Sequence, residues 1–196
     1  MKIIQLPPHK RENVLPLPVV LISTISKAGI CNAAPWGNIT PILRPLNLIV
    51  LASWLRRDTL DNIRETGEFV VNVPPAAMVE KVMICARNYP PEVDEFEKAG
   101  LVPRPSSVVA PPGIEGSIAW MECRLVEEIL RENYALVIGQ VEHLEVNDRY
   151  ATGEGDIDIE SARPLCMVCG NGGIRYTYPV DAGRFAPFSE MFIKKS

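Results

Sequence analysis

The chain has 196 residues, with 20 basic and 24 acidic side chains and a net charge of −4. That length fits one typical domain, and that balance leaves no net basic surface of the kind a general nucleic-acid binder needs. Hydrophobic residues at 47% and charged residues at 22% exclude a disordered, collagenous or wholly coiled-coil chain.

No apolar run is long enough to span a membrane, and the N-terminus lacks the apolar stretch and small-residue cleavage site of a signal peptide. The five cysteines, an odd number set mostly in apolar segments, point to a reducing cytoplasm rather than a disulfide scaffold. Proline is the outlier at 18 residues, so the elements must be short and joined by stiff connections.

Residues 1–17 read as an irregular lead-in. Pro18 to Thr24 is β-branched and apolar and predicts a strand. Lys27-Ala28-Gly29 predicts a turn in which Gly29 supplies a positive φ. A second strand is expected through Ile30 to Ile39, and a third, continuously apolar, from Asn47 to Trp54. The period then changes. Asp58 to Gly67 predicts a short helix, with Asp58 or Thr59 as N-cap and Gly67 just past its end. Glu68 to Val73 is a strand stopped by Pro74-Pro75. Ala76 to Ala86 predicts a mostly apolar helix, and Val93 to Ala99 a short polar one ending at Gly100. Residues 101–116 form a proline-rich connector. Ile118 to Leu130 and Tyr134 to Val146 predict an antiparallel pair, turning at Arg131-Glu132-Asn133. Residues 147–163 read as a surface loop. Pro164 to Cys169 and Gly172 to Tyr178 are the last strands, and the tail, 179–196, carries Phe185, Phe188, Met191 and Phe192 and must pack on something. The expectation is a single domain over residues 1–196, mainly β with short helices (α+β), in which helices cover the open ends of a β-barrel. A closed or nearly closed barrel solves the problem of exposed sheet edges.

Two segments carry candidate chemistry. In Asn32-Ala33-Ala34-Pro35-Trp36-Gly37-Asn38, small residues precede a proline and an aromatic, which lets a flat ligand approach backbone amides. A proline-induced bulge with a core tryptophan reads the same residues. In Ser53-Trp54-Leu55-Arg56-Arg57-Asp58-Thr59, a buried strand ends in a hydroxyl, followed by two arginines and a helix start. Free helix amides and guanidinium donors suit a phosphate. A capped helix with two solvated arginines is the plain alternative.

Order and spacing together resemble the flavin reductase-like family with the FMN-binding split β-barrel, which includes flavoredoxin-type proteins. The resemblance is carried by the PVVLIST opening with its turn and N-A-A-P-W, by S-x-x-R-R-D-T-x-x-N-I, by E-T-G-E-F-V-V-N-V, and by Pro91 to Leu101. Met121 to Val126 and Ala135 to Val141 extend it, so that it covers roughly residues 16–178. It implies that Asn32, Ala33, Ala34, Pro35 and Trp36 lie along the isoalloxazine and ribityl chain. It further implies that Ser53, Arg57 and Thr59 hold the FMN phosphate, with Arg56 beside them, and that Asn88 comes near the flavin. It implies a homodimer with the flavin near the interface.

The sequence departs from the family at Cys166-Met167-Val168-Cys169. A C-x-x-C can be a redox pair or half a zinc site, but no second C-x-x-C exists, and in an extended strand the two thiols fall on opposite faces. They read as small core residues. Asp156, Asp158 and Glu160 lack the pattern of a calcium loop. No metal and no catalytic triad is expected. The resulting expectation is an FMN-dependent oxidoreductase that takes hydride from NADH or NADPH and passes electrons to a protein or small-molecule acceptor. The alternative is an FMN-binding electron-transfer or sensor protein without NAD(P)H activity. A split barrel that has lost flavin and serves as a dimeric scaffold is a third reading, against which Arg56, Arg57 and Thr59 argue.

Overall fold

The computed structural model describes residues 3–153, 156–170 and 172–183. In chain order the elements are β1 (Leu17–Pro18), β2 (Val20–Ile25), β3 (Cys31–Trp36), β4 (Ile39–Pro41), β5 (Leu48–Trp54), α1 (Asp58–Thr66), β6 (Glu68–Val73), α2 (Val79–Cys85) and α3 (Glu95–Ala99). Then follow β7 (Pro103–Arg104), β8 (Gly113–Ile114), β9 (Ala119–Leu130), β10 (Tyr134–Val146), α4 (Ile159–Ala162), β11 (Cys166–Gly170) and β12 (Gly173–Thr177). Seven strands form one antiparallel sheet in the order β3-β2-β6-β9-β10-β5-β4. β1, β11 and β12 make a small second sheet.

That order dictates the shape. β3 and β4 lie on opposite edges of the seven-stranded sheet, yet only Gly37 and Asn38 separate them in the chain. Three Cα–Cα steps reach about 11 Å, whereas the outer strands of a flat seven-stranded sheet stand about 29 Å apart. The sheet therefore curls until its edges nearly meet. Past the crossing, Asn38 extends the β4–β5 ladder by accepting a hydrogen bond from the Ala52 amide at 2.9 Å.

Curling gives the sheet an inside and an outside. Inside, Val20, Ile22, Leu51, Phe69, Val71, Cys123 and Val137 pack with Leu60 and Ile63 of α1. On the other side of β2 and β3, Leu21 and Ala33 pack under α2 and α3 through Val82, Cys85, Phe96 and Ala99. β2 is thus buried on both faces, which explains the continuous apolar run from Val20 to Ile22 with which it opens.

The differences from the sequence expectation are local. The strand expected through Ile30 to Ile39 ends at Trp36 and resumes as β4 with a different neighbour, because the chain crosses the seam there. The helix expected over Ala76 to Ala86 is a 3-10 turn (Ala76–Met78) followed by α2. Two short strands, β7 and β8, pair within the connector. The loop expected over 147–163 contains α4, whose first turn is capped by Asp158 accepting from the Glu160 and Ser161 amides. Neither Asp58 nor Thr59 caps α1: the N-cap is Arg57, in extended conformation and with no side-chain cap bond. Gly29 and Gly67 do take positive φ, at 83° and 72°. The expected packing of Phe185, Phe188, Met191 and Phe192 lies outside the described residues.

Candidate cofactor site

The site is built where the edge strand β3 meets the start of α1 and the N-terminus of α3. Period-two alternation divides the five β3 candidates. Ala33 faces the helical layer and is fully buried. Asn32 is also buried, Ala34, Pro35 and Trp36 are half-buried, and Trp36 packs against the barrel interior. Pro35, which has no amide hydrogen to offer, suits an edge strand.

Asn32 is the hub of a buried polar network. Its Nδ2 donates to Glu95 Oε2 at 2.9 Å, while its Oδ1 accepts from the Thr59 hydroxyl at 2.8 Å and the Thr24 hydroxyl at 3.3 Å. Asn62 Nδ2 in turn donates to Thr24 Oγ1 at 3.0 Å. Four elements, β2, β3, α1 and α3, are tied together by these bonds. Burial pushes the Glu95 carboxyl up to about 7, against the pull of the Ala33 amide and the Asn32 side chain. A cavity of about 240 Å³ opens beside the network, lined by Asn32, Asn62, Glu95, Asp58 and Pro91 among others.

The second candidate segment runs from the end of β5 into α1. Ser53 is buried and its hydroxyl donates to the Trp54 carbonyl at 2.8 Å. Thr59 is buried with its only hydroxyl proton committed to Asn32. Arg56 and Arg57 are exposed and make no hydrogen bond or ion pair within the described residues. The Arg57 charge lowers the carboxyl of Asp58, which burial and Asp61 push up. The first intrahelical bond of α1 runs from the Asp61 amide to the Arg57 carbonyl at 3.0 Å, so the amides of Asp58, Thr59 and Leu60 have no intrahelical partner. The structure brings Asn32 and Thr59 into contact. It leaves Asn88 exposed in the loop after α2, three residues before the cavity-lining Pro91.

Two features fit a flavin mononucleotide. Among the described residues the buried Trp36 indole N–H has no hydrogen-bond partner, an orphaned donor of a kind folded proteins rarely keep. The uncapped α1 start with its two arginines is a donor set suited to a phosphate. Cys166 and Cys169 lie three positions apart on β11, both free and half-buried. Burial raises both thiols, and Glu12 raises Cys169 further, which suppresses the thiolate that redox or metal chemistry needs.

Sequence reasoning missed Glu95, Thr24 and Asn62 as members of the site. The usable signal for Asn62 was its place one turn after Asp58 on the helix. Glu95 carried none, because an acidic residue beside a core Phe96 reads as solvated.

A curled antiparallel half-barrel, with a polar cleft where its edge strand meets a basic helix start, defines a mainly β split-barrel architecture. The chain belongs to the flavin reductase family: residues 12–168 match the family model described as "Flavin reductase like domain". It is 48% identical over 188 residues to an uncharacterized protein of Methanothermobacter thermautotrophicus, covering 93% of this chain and 89% of the relative. Its fold is similar to nitrilotriacetate monooxygenase component B from Bacillus cereus, with a TM-score of 0.83 and 26% identity over 94% of this chain and 100% of the other. It is also similar to an FMN-binding domain of a flavin reductases-like enzyme from Shewanella baltica, with a TM-score of 0.73 and 19% identity over 85% and 89% of the two chains. No helix among the described residues is long and apolar enough to cross a membrane.

Proposed function

We propose that the protein is a cytoplasmic FMN-dependent oxidoreductase of flavin reductase type, which uses NADH or NADPH as donor and reduces a protein or small-molecule acceptor. The observation that carries this reading is the uncapped start of α1 with the Arg56 and Arg57 side chains exposed and, among the described residues, unpaired beside it, next to an edge strand of small residues. The FMN-binding domain from Shewanella baltica, which shares the fold, supports the choice of cofactor.

In this reading the arginines and the free α1 amides bind the phosphate dianion. The Trp36 N–H supplies a donor to a polar edge of the ring, and Ala34 leaves room for a flat system to lie against the strand. FMN supplies the hydride-accepting chemistry when bound. The protein's part is to bind, orient and exclude water, and no general acid or base is obligatory. Ser53 and Thr59 support the phosphate loop from beneath, since their hydroxyl protons are spent on Trp54 and Asn32. A homodimer belongs to the proposal. Trp54 and Tyr134 are cross-strand partners that stay 65% and 43% exposed on the outer face of β5 and β10, where a second copy would cover them.

The test is a visible spectrum of the purified protein, supplemented with FMN, before and after anaerobic NADH or NADPH. Flavin bands that bleach within seconds are expected. Bands that persist with both donors favour the electron carrier, and failure to take up FMN removes the flavin reading. In the same assay Cys166→Ala is expected to reduce at the wild-type rate. A large drop would restore the dithiol reading of Cys166 and Cys169.

A further inference from the structure

Glu95 is the one carboxylate in the network that ties β3 to α1. It stands 6% exposed on the first turn of α3, with Oε2 accepting from Asn32 Nδ2 at 2.9 Å. Asn32 uses its other end on Thr59, in the first turn of α1. We propose that Glu95 is a positioning residue of the cofactor site: it holds Asn32, and with it the edge of β3, against the start of α1, and so couples FMN affinity to pH. This rests on the flavin reading above.

The surroundings favour a proton on Glu95. From α1, Asp58, Asp61 and Glu65 line the same cavity. From α2 comes Cys85, whose thiol burial pushes up to about 12 and which stays neutral. From β3 comes Cys31, raised by burial and by Asp94. The cation on the α2 side, Lys81, is turned to the Gly100 carbonyl at 2.7 Å. Arg57 acts on Asp58 rather than on Glu95. With burial as the main cause, the Glu95 carboxyl rises from 4.5 to about 7. The stability tied to its neutral form is full below pH 4.5 and is lost as pH rises through about 7. An anionic cofactor beside the same cavity draws a proton onto Glu95, so binding weakens above neutrality.

The experiment compares full-length wild type, Glu95→Gln and Glu95→Ala at pH 5.5 and 8.5. FMN affinity is read by quenching of flavin fluorescence, and the melting temperature of the flavin-free protein is read in parallel. The FMN phosphate itself titrates near pH 6, about where other phosphomonoesters do, and cancels between wild type and Glu95→Gln. Glu95→Gln keeps an acceptor for Asn32 but cannot ionise. It is expected to match wild type at pH 5.5 and to bind about fivefold more tightly at pH 8.5. Glu95→Ala leaves the Asn32 Nδ2 without its acceptor and is expected to bind at least about tenfold more weakly at both pH values. Flavin-free wild type should lose stability relative to Glu95→Gln as pH rises. Parallel pH profiles for wild type and Glu95→Gln, or wild-type affinity in Glu95→Ala, overturn the proposal. Absence of quenching by wild type at either pH overturns the flavin reading itself, an outcome distinct from parallel profiles.

Discussion

Phe69→Ala is expected to destabilise the protein by about 3–5 kcal/mol, the usual cost of emptying a large buried aromatic site. Phe69 is fully buried near the start of β6, inside the curled sheet. Its ring occupies space left by Gly139 on β10: a Cβ there would stand 2.4 Å from Phe69 Cζ and 2.9 Å from Cε1. Gly139 sits beside a register shift between β9 and β10, an irregularity of the kind that bends a strand locally. Gly139→Ala is therefore expected to destabilise by about 1–3 kcal/mol through overpacking, although alanine costs less backbone entropy than glycine. The two sites should be coupled. Combining Gly139→Ala with Phe69→Leu is expected to recover part of the sum, with an interaction of about 0.5–3 kcal/mol. Urea melts of the four proteins at constant m-value would measure it. Strict additivity would mean that the ring does not lean on Gly139.

The same close approach shows which parts of the fold were legible. The apolar runs of β2 and β5, the hairpin turn at Gly29, and the αL stops at Gly67 and Gly100 follow from local chemistry, and the sequence displays them directly. The break between β3 and β4 does not, because nothing in Pro35-Trp36-Gly37-Asn38 says that the next strand will pair with β5 across a seam. That is a property of the whole sheet's curl. α4 was hidden for another reason: four helical residues give no period, and only the Asp158 cap marks them. At the site, Arg56 and Arg57 were readable as donors because guanidinium groups beside a helix start have few packing uses. Asn32 was singled out as a candidate only through the family resemblance, and its bonds to Glu95, Thr59 and Thr24 emerge only when α1 and α3 are brought against β3. Thr59, singled out as a phosphate donor and as a cap, spends its hydroxyl proton on that network, a competition no local pattern records.

Arg57→Ala is expected to weaken FMN binding by about 1.5–3 kcal/mol, the size of a lost charge-assisted contact. The argument is one of competing uses. The Arg57 side chain is exposed and forms no hydrogen bond or ion pair among the described residues, so its removal should leave the melting temperature of the flavin-free protein within about a degree or two. Its remaining electrostatic duty is to lower the Asp58 carboxyl, which its loss would let rise further. Arg57 is the N-cap residue of α1, next in the chain to three amides without intrahelical partners, and in the proposed reading its charge and those donors serve one anion. The contact should therefore be specific to the phosphate. Riboflavin, which lacks it, is expected to bind wild type and Arg57→Ala alike, and the FMN difference should shrink as salt screens the exposed pair. Arg56→Ala provides the comparison on the adjacent side chain, with a smaller loss because it lies one residue farther from the helix. Titrations of FMN and riboflavin at low and high salt separate these outcomes. An unchanged FMN dissociation constant in Arg57→Ala would sink the phosphate assignment, and an equal loss for riboflavin would move Arg57 from the phosphate to the ring.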